Sequence, residues 1–182
     1  MAGGVGISVK ALSLPHPLSV GLEWRTWGDY LSLGAHKGFT PGFKVGEIGV
    51  QVDSVDVGLK YYPWAGTFYV GAVFGEQKVT GTTTDFVLGQ RVEYKGEISS
   101  AYVTPAIGWT WTSKSGLFFN MELGWQISSG AKTVITTSED DNALITSHPQ
   151  YQGIKKDVED IGNELGNRSL PSVGLINFGY LF

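Results

Sequence analysis

Residues 117–128, LFFNMELGWQIS, alternate without a fault. Leu117, Phe119, Met121, Leu123, Trp125 and Ile127 share one face, and Phe118, Asn120, Glu122, Gly124, Gln126 and Ser128 share the other. An amphipathic helix repeats its apolar stripe every 3.6 residues, so twelve residues at period two can only be a strand. The preceding AYVTPAIGWTWT places Ala101, Val103, Pro105, Ile107, Trp109 and Trp111 on one face, and SKSG joins the two segments as a short hairpin turn.

The same pattern recurs upstream. LSVGLEWR sets Leu18, Val20, Leu22 and Trp24 against Ser19, Gly21, Glu23 and Arg25, and SVDVGLKYY sets Val55, Val57, Leu59 and Tyr61 against Asp56, Gly58, Lys60 and Tyr62. TFYVGAVFG follows after the turn PWAG. Eight strands are predicted, at 4–11, 18–26, 30–37, 47–62, 67–79, 96–112, 117–129 and 172–182. The parity of 47–62 slips near Asp53 and Ser54, which predicts a bulge or a loop boundary there. No run of about 18 apolar residues exists, so no membrane-spanning helix is expected. With 26 glycines and no cysteine, one all-β domain over 1–182 without disulfides is the reading that remains.

A soluble sandwich and a transmembrane barrel share this alternation but turn it inside out. A sandwich buries its apolar face, whereas a barrel turns that face to lipid and fills its lumen with polar groups. Three observations favour the barrel. The apolar faces stay free of charge for about the 9–11 residues that a bilayer crossing needs, twice the usual strand length. Lys10, Glu23, Arg25, Asp56, Lys60 and Glu122 lie on the opposite faces among glycines, as a narrow lumen would require. Finally, aromatic rings gather at one end of each hairpin: Trp24, Trp27, Tyr61, Trp64, Trp109 and Trp111, with Tyr180 and Phe182 at the C-terminus. Rings half dry and half wet suit a membrane–water interface. Charged residues are 16% of the chain, against roughly a quarter in ordinary globular chains, and this scarcity has the same cause.

The closing strand SVGLINFGYLF, with its aromatic last residue Phe182, resembles the C-terminal signature of bacterial outer-membrane β-barrel proteins. Short turns at 27–29, 63–66 and 113–116 alternate with longer connections at 12–17, 38–46, 80–95 and 130–171. That arrangement resembles the small OmpA and OmpW type of eight-stranded barrel. The resemblance implies an antiparallel up-and-down transmembrane β-barrel with long outer loops in the Gram-negative outer membrane. It also implies contact with phospholipid and lipopolysaccharide, and a final strand that closes on the first and is read by the barrel assembly machinery. MAGGVG lacks the charged start and apolar core of a signal peptide, so the chain reads as one whose leader has been removed. Pro105 sits mid-strand, where a closed barrel has no edge to hide a missing N–H, and predicts a local break in the ladder.

The connection 130–171 holds seven acids and four bases, hence −3 of the chain's net −4. Val158, Ile161 and Leu165 fall at helical spacing, which predicts a short surface helix capping the lumen or meeting a partner. The acids of SEDD read as a solvated loop before a cation site. His16, His36 and His148, placed in or near outer loops with Ser13, Ser32 and Ser147 close in sequence, match no nucleophile–base signature. No enzymatic activity, cofactor, metal or nucleic acid partner is expected. The lumen charges should pair with one another, because eight strands enclose room only for side chains. The predicted role is therefore structural or one of surface interaction, with self-association through small residues such as Ala72, Ala101 and Gly174. The alternative is a narrow, porin-like channel or transporter for small hydrophobic solutes.

Overall fold

Alternating segments long enough to cross a bilayer can satisfy every backbone N–H and C=O only by pairing on both sides, so they close on themselves. The computed structural model describes residues 5–14, 18–26, 30–39, 43–45 and 48–182. Its strands are β1 (Val5–Leu14), β2 (Leu18–Thr26), β3 (Leu31–Phe39), β4 (Phe43–Val45), β5 (Ile48–Tyr61), β6 (Phe68–Val87), β7 (Gln90–Thr112), β8 (Leu117–Thr137) and β9 (Leu170–Leu181). The short helix α1 (Ala143–Thr146) and the longer α2 (Pro149–Gly166) lie between β8 and β9. Every pairing is antiparallel. β1 pairs with β2, β2 with β3, β3 with β5 across the intervening β4, each strand from β5 to β9 with the next, and β9 returns to β1. Eight strands thus form a ring, with the three-residue β4 paired to β5 among the described residues.

The first three strands are short, but β5 to β8 run on beyond the ring. The segment expected as a loop at 80–95 is a continuation of β6 and β7, paired residue by residue from Val79↔Ile98 to Val87↔Gln90. Leu88 and Gly89, both at positive φ, make the two-residue tip that suits strand twist. Likewise β8 extends to Thr137, and the expected 130–171 connection shrinks to the helices and their flanks. The predicted irregularity near Asp53 is not a bulge: β5 and β6 stay in register from Gly49↔Thr82 to Tyr61↔Val70. What changes there is the other neighbour, for Phe39↔Asp53 is the last β3–β5 pair and β4 takes over above it.

The surface explains the apparent slip. Val55 still has the exposed Lys37 and Glu76 beside it, but below it the outward residues are apolar and exposed: Val57, Leu59, Phe74, Ile107, Leu123 and Ile127. Above it the outward row carries Lys78, Lys95 and Glu97, with Glu97 Oε2 2.6 Å from Lys78 Nζ and Oε1 2.9 Å from Lys95 Nζ. The apolar residues have moved to the inner face, where Val87, Val92 and Tyr94 form a buried cluster with Ile145 of α1 and Tyr151 of α2. A strand that leaves hydrocarbon for water swaps its apolar face without missing a residue. The exposed apolar belt, and not the interior, is the hydrophobic surface of the barrel, the reverse of a soluble domain.

Pro105 opposes Ala72 in an unbroken β6–β7 ladder, while the β7–β8 pairing is interrupted between Val103↔Ile127 and Ala106↔Gly124. The missing N–H therefore falls on the β8 side.

Candidate functional site

Inside the ring, parity brings Ser32, His36, Asp56, Lys60, Tyr69, Tyr102, Asn120, Glu122 and Gln126 to one axis, all buried. They fit because bulky groups stand opposite glycines on the next strand. His36 faces Gly21, Asp56 and Tyr102 both face Gly75, Tyr69 faces Gly108 and Phe118 faces Gly179. A Cβ on Gly75 would come within 2.7 Å of both Asp56 and Tyr102. The glycines noted among the charges in the sequence are the space those charges occupy.

The polar groups are joined into one network. Lys60 Nζ donates to Glu23 Oε1 at 2.9 Å, and Ser32 Oγ donates to Glu23 Oε2 at 3.1 Å. His36 lies between two carboxylates, its Nε2 3.3 Å from Glu23 Oε1 and its Nδ1 3.1 Å from Asp56 Oδ1. Tyr102 donates its hydroxyl to Asp56 Oδ2 at 3.1 Å. On the other side of Lys60, whose ammonium is 5.3 Å from the Tyr69 ring centre, the Tyr69 hydroxyl donates to Glu122 Oε2 at 2.6 Å. Nearer the turn end Tyr62, Thr110 and Asn120 are hydrogen-bonded together; nearer the mouth Gln126 donates to Gln77 at 2.9 Å. Burial makes each unmatched group costly, so such a chain is stable only as a whole.

Of the six charges expected to line the lumen, Glu23, Asp56, Lys60 and Glu122 occupy this network; the side chains of Lys10 and Arg25 lie outside the described residues. Of the expected girdle, Trp24, Tyr61, Trp64, Trp109, Trp111, Tyr180 and Phe182 are all exposed on the outer wall, and Trp27 lies outside the described residues. They share the end that carries the termini and short turns. Trp111 stacks on Phe119 at 5.7 Å and Tyr180 lies 6.1 Å from Phe182. Sequence reasoning missed His36, which it put near an outer strand end, as well as Tyr69 and Tyr102. Their even or odd positions beside Ser32, Gly71 and Thr104 were the available signal. Gly174 is not on the lipid face: the register shift between Asn120 and Glu122 turns it inward against Glu122.

Among the described residues, neither His36 nor His148 is hydrogen-bonded to a serine. Both ring nitrogens of His36 face carboxylates, and Ser32 donates to Glu23 instead of to the imidazole. His148 Nδ1 accepts from the Gln150 backbone, and His16 lies outside the described residues. In the acidic stretch, Asp140 works as a clamp. Its carboxylate accepts from the Thr137 N–H and hydroxyl and, at 2.7 Å, from the Tyr151 hydroxyl, fastening α2 to the end of β8. That hydroxyl, with the Thr137 N–H, holds the Asp140 carboxyl below its ordinary value of 3.8. Since the folded value is the lower one, the clamp contributes fully above the ordinary value and is lost as pH falls through the folded one. Acidification should therefore broaden the backbone amide signals of α2 before those of the barrel. Asp140→Asn should remove this step, and an α2 spectrum indifferent to pH in the unaltered chain would contradict the clamp.

No family model matches the chain, and no curated protein does. Among solved structures it is similar to CarO of Acinetobacter baumannii, at 14% identity and a TM-score of 0.51 over 98% of this chain and 97% of that one. It is similar to CarO2 of the same organism, at 16% identity and 0.52 over 98% of each. A major outer membrane protein of Thermus thermophilus matches over the full length of both chains, at 12% identity and 0.60. Ring, belt and likeness agree: the chain has the fold of the bacterial outer-membrane β-barrels.

Proposed function

We propose that this chain sits in the outer membrane as a closed, plugged barrel whose role is structural or one of surface interaction, without catalysis. The observation that supports the reading is the lumen network from Ser32 through Glu23, His36, Asp56 and Lys60 to Tyr69 and Glu122, whose side chains reach one another across the axis. Its turn end faces the periplasm, so the extension of β5 to β8 and its helices stand on the outer surface. Phospholipid and lipopolysaccharide are its surroundings, β9 is what the assembly machinery reads, and Ala72 and Ala101 are where two copies would approach each other.

The second reading, a narrow channel for small hydrophobic solutes, draws on a cavity of about 480 Å³ lined by Ser54, Gln77 and Ser100 together with the charged Lys37, Asp53, Glu76, Lys78 and Lys132. Planar-bilayer recording separates the two. The plugged barrel is expected to give no unitary steps, and the combined variant Glu23→Ala, Lys60→Ala and Tyr69→Ala should give them. Reproducible steps from the unaltered chain would replace the first reading with the second.

A further inference from the structure

Between α2 and the inner face of the β6–β7 extension lies a cleft of about 300 Å³. It stands on the inner side of the wall level with the charged row of Lys78, Lys95 and Glu97, hence clear of the apolar belt, and is separate from the lumen network. Val79, Ile98, Val158 and Ile161 supply its walls, and no charged residue lines it. The space is of the chain's own making. Gly81 and Gly96 replace side chains on two facing strands: a Cβ on Gly81 would meet nothing within 4 Å, and one on Gly96 only Val158, at 3.5 Å. On the helix side Gly162 rests directly against Thr133 and Ile98, so α2 is held close and the opening does not come from loose packing.

A second observation points to an occupant. Tyr94 lines the same cleft and is 1% exposed, yet its hydroxyl has no hydrogen-bond partner among the described residues. Its ring is well placed, 5.8 Å from that of Tyr151 in the buried cluster, so the side chain belongs there and only its polar end is unmatched. A buried hydroxyl without a partner costs free energy that an incoming acceptor recovers.

We propose that this cleft binds a small uncharged apolar molecule carrying one hydrogen-bond acceptor, its body between Val79, Ile98 and Val158 and its acceptor on the Tyr94 hydroxyl. The volume is about twice that of the roughly 150 Å³ cavity that holds one benzene, which fits a two-ring or medium-chain ketone or ester. Charged molecules find no counter-charge in this lining, whose polar side chains are Thr82, Thr83, Thr133 and Tyr94, and so lose their water without replacement.

The test uses the full chain in lipid nanodiscs, with empty nanodiscs as the blank for partition into lipid. 2-Acetylnaphthalene is the probe with an acceptor and 2-ethylnaphthalene the probe without one. Saturable binding of the ketone above the blank is expected. Tyr94→Phe, which removes only the hydroxyl, should weaken ketone binding about tenfold and leave the hydrocarbon unaffected. Gly81→Leu, whose side chain enters open space, should abolish both while the unheated protein keeps its folded mobility in electrophoresis. Ketone uptake no greater than the blank, or saturable uptake indifferent to both substitutions, would overturn the proposal.

Discussion

Lys60→Met should destabilise the barrel by about 3–5 kcal/mol, the usual consequence of removing one partner from a buried ion pair. The ammonium is the donor to Glu23 Oε1 and lies beside the ring of Tyr69, which in turn holds Glu122. Methionine keeps the volume and the stem but leaves the Glu23 carboxylate, among the described residues, with Ser32 and His36. The second half of the experiment makes the result specific. Glu23→Leu combined with Lys60→Met removes both charges, and an ion pair exchanged for apolar groups of similar size is often neutral or better. The double variant should therefore recover most of the loss, a coupling readable from urea unfolding in micelles of one detergent. A Lys60→Met barrel within about 1 kcal/mol of the unaltered one would mean that the pair is hydrated like a surface pair, which is worth little. The plug would then not be the dry, connected body described above.

The fold was legible where the environment imposes one rule on a whole strand. Between Leu117 and Ile127 hydrocarbon allows no charge on one face, and the alternation is flawless; the same holds from Val55 to Tyr61. It was misread where the rule reverses. From Val79 to Val87 and from Val92 to Ile98 the strands continue in register, but Val79, Val87, Val92, Tyr94 and Ile98 have turned inward and, Phe86 apart, threonine, lysine and glutamate face out. A search for the charge-free outward face takes that reversal for the end of a strand. The helix was found and its contact face only partly: Val158 does face the sheet, but the closest approaches are made by Gly162 and Gly166, which carry no apolar signal. For the lumen, parity says which face a residue takes but not its partners around the ring. Glu23 and Lys60, 37 positions apart, meet only because β3 stands between β2 and β5 and both reach past it. His36 was a matter of the same parity, since Ser32 and Gly34 precede it on the inward side.

The outward face yields to a test along a single strand. Leu117, Leu123 and Ser129 all point away from the axis on β8, at the girdle end, the middle of the belt and the charged rim. Leu123 is 49% exposed, opposes Ile107 and has Trp125 and Met121 as outward neighbours on its own strand. In a bilayer an arginine at the midplane of a barrel's lipid face costs about 2–4 kcal/mol, falling to about 0–1 near the interfaces. Leu123→Arg should thus lose about 2–4 kcal/mol in phospholipid vesicles, and Leu117→Arg and Ser129→Arg at most about 1. The profile along the strand, not any single value, carries the meaning. An exposed leucine on a water-facing surface tolerates arginine to within about 0.5 kcal/mol, and would do so equally at all three positions. A flat profile in vesicles would remove the membrane from the account of this fold. A maximum at Leu123 would locate the bilayer on the wall, with its outer boundary where the exposed charges begin at Lys37 and Glu76 and continue through Lys78, Lys95 and Glu97.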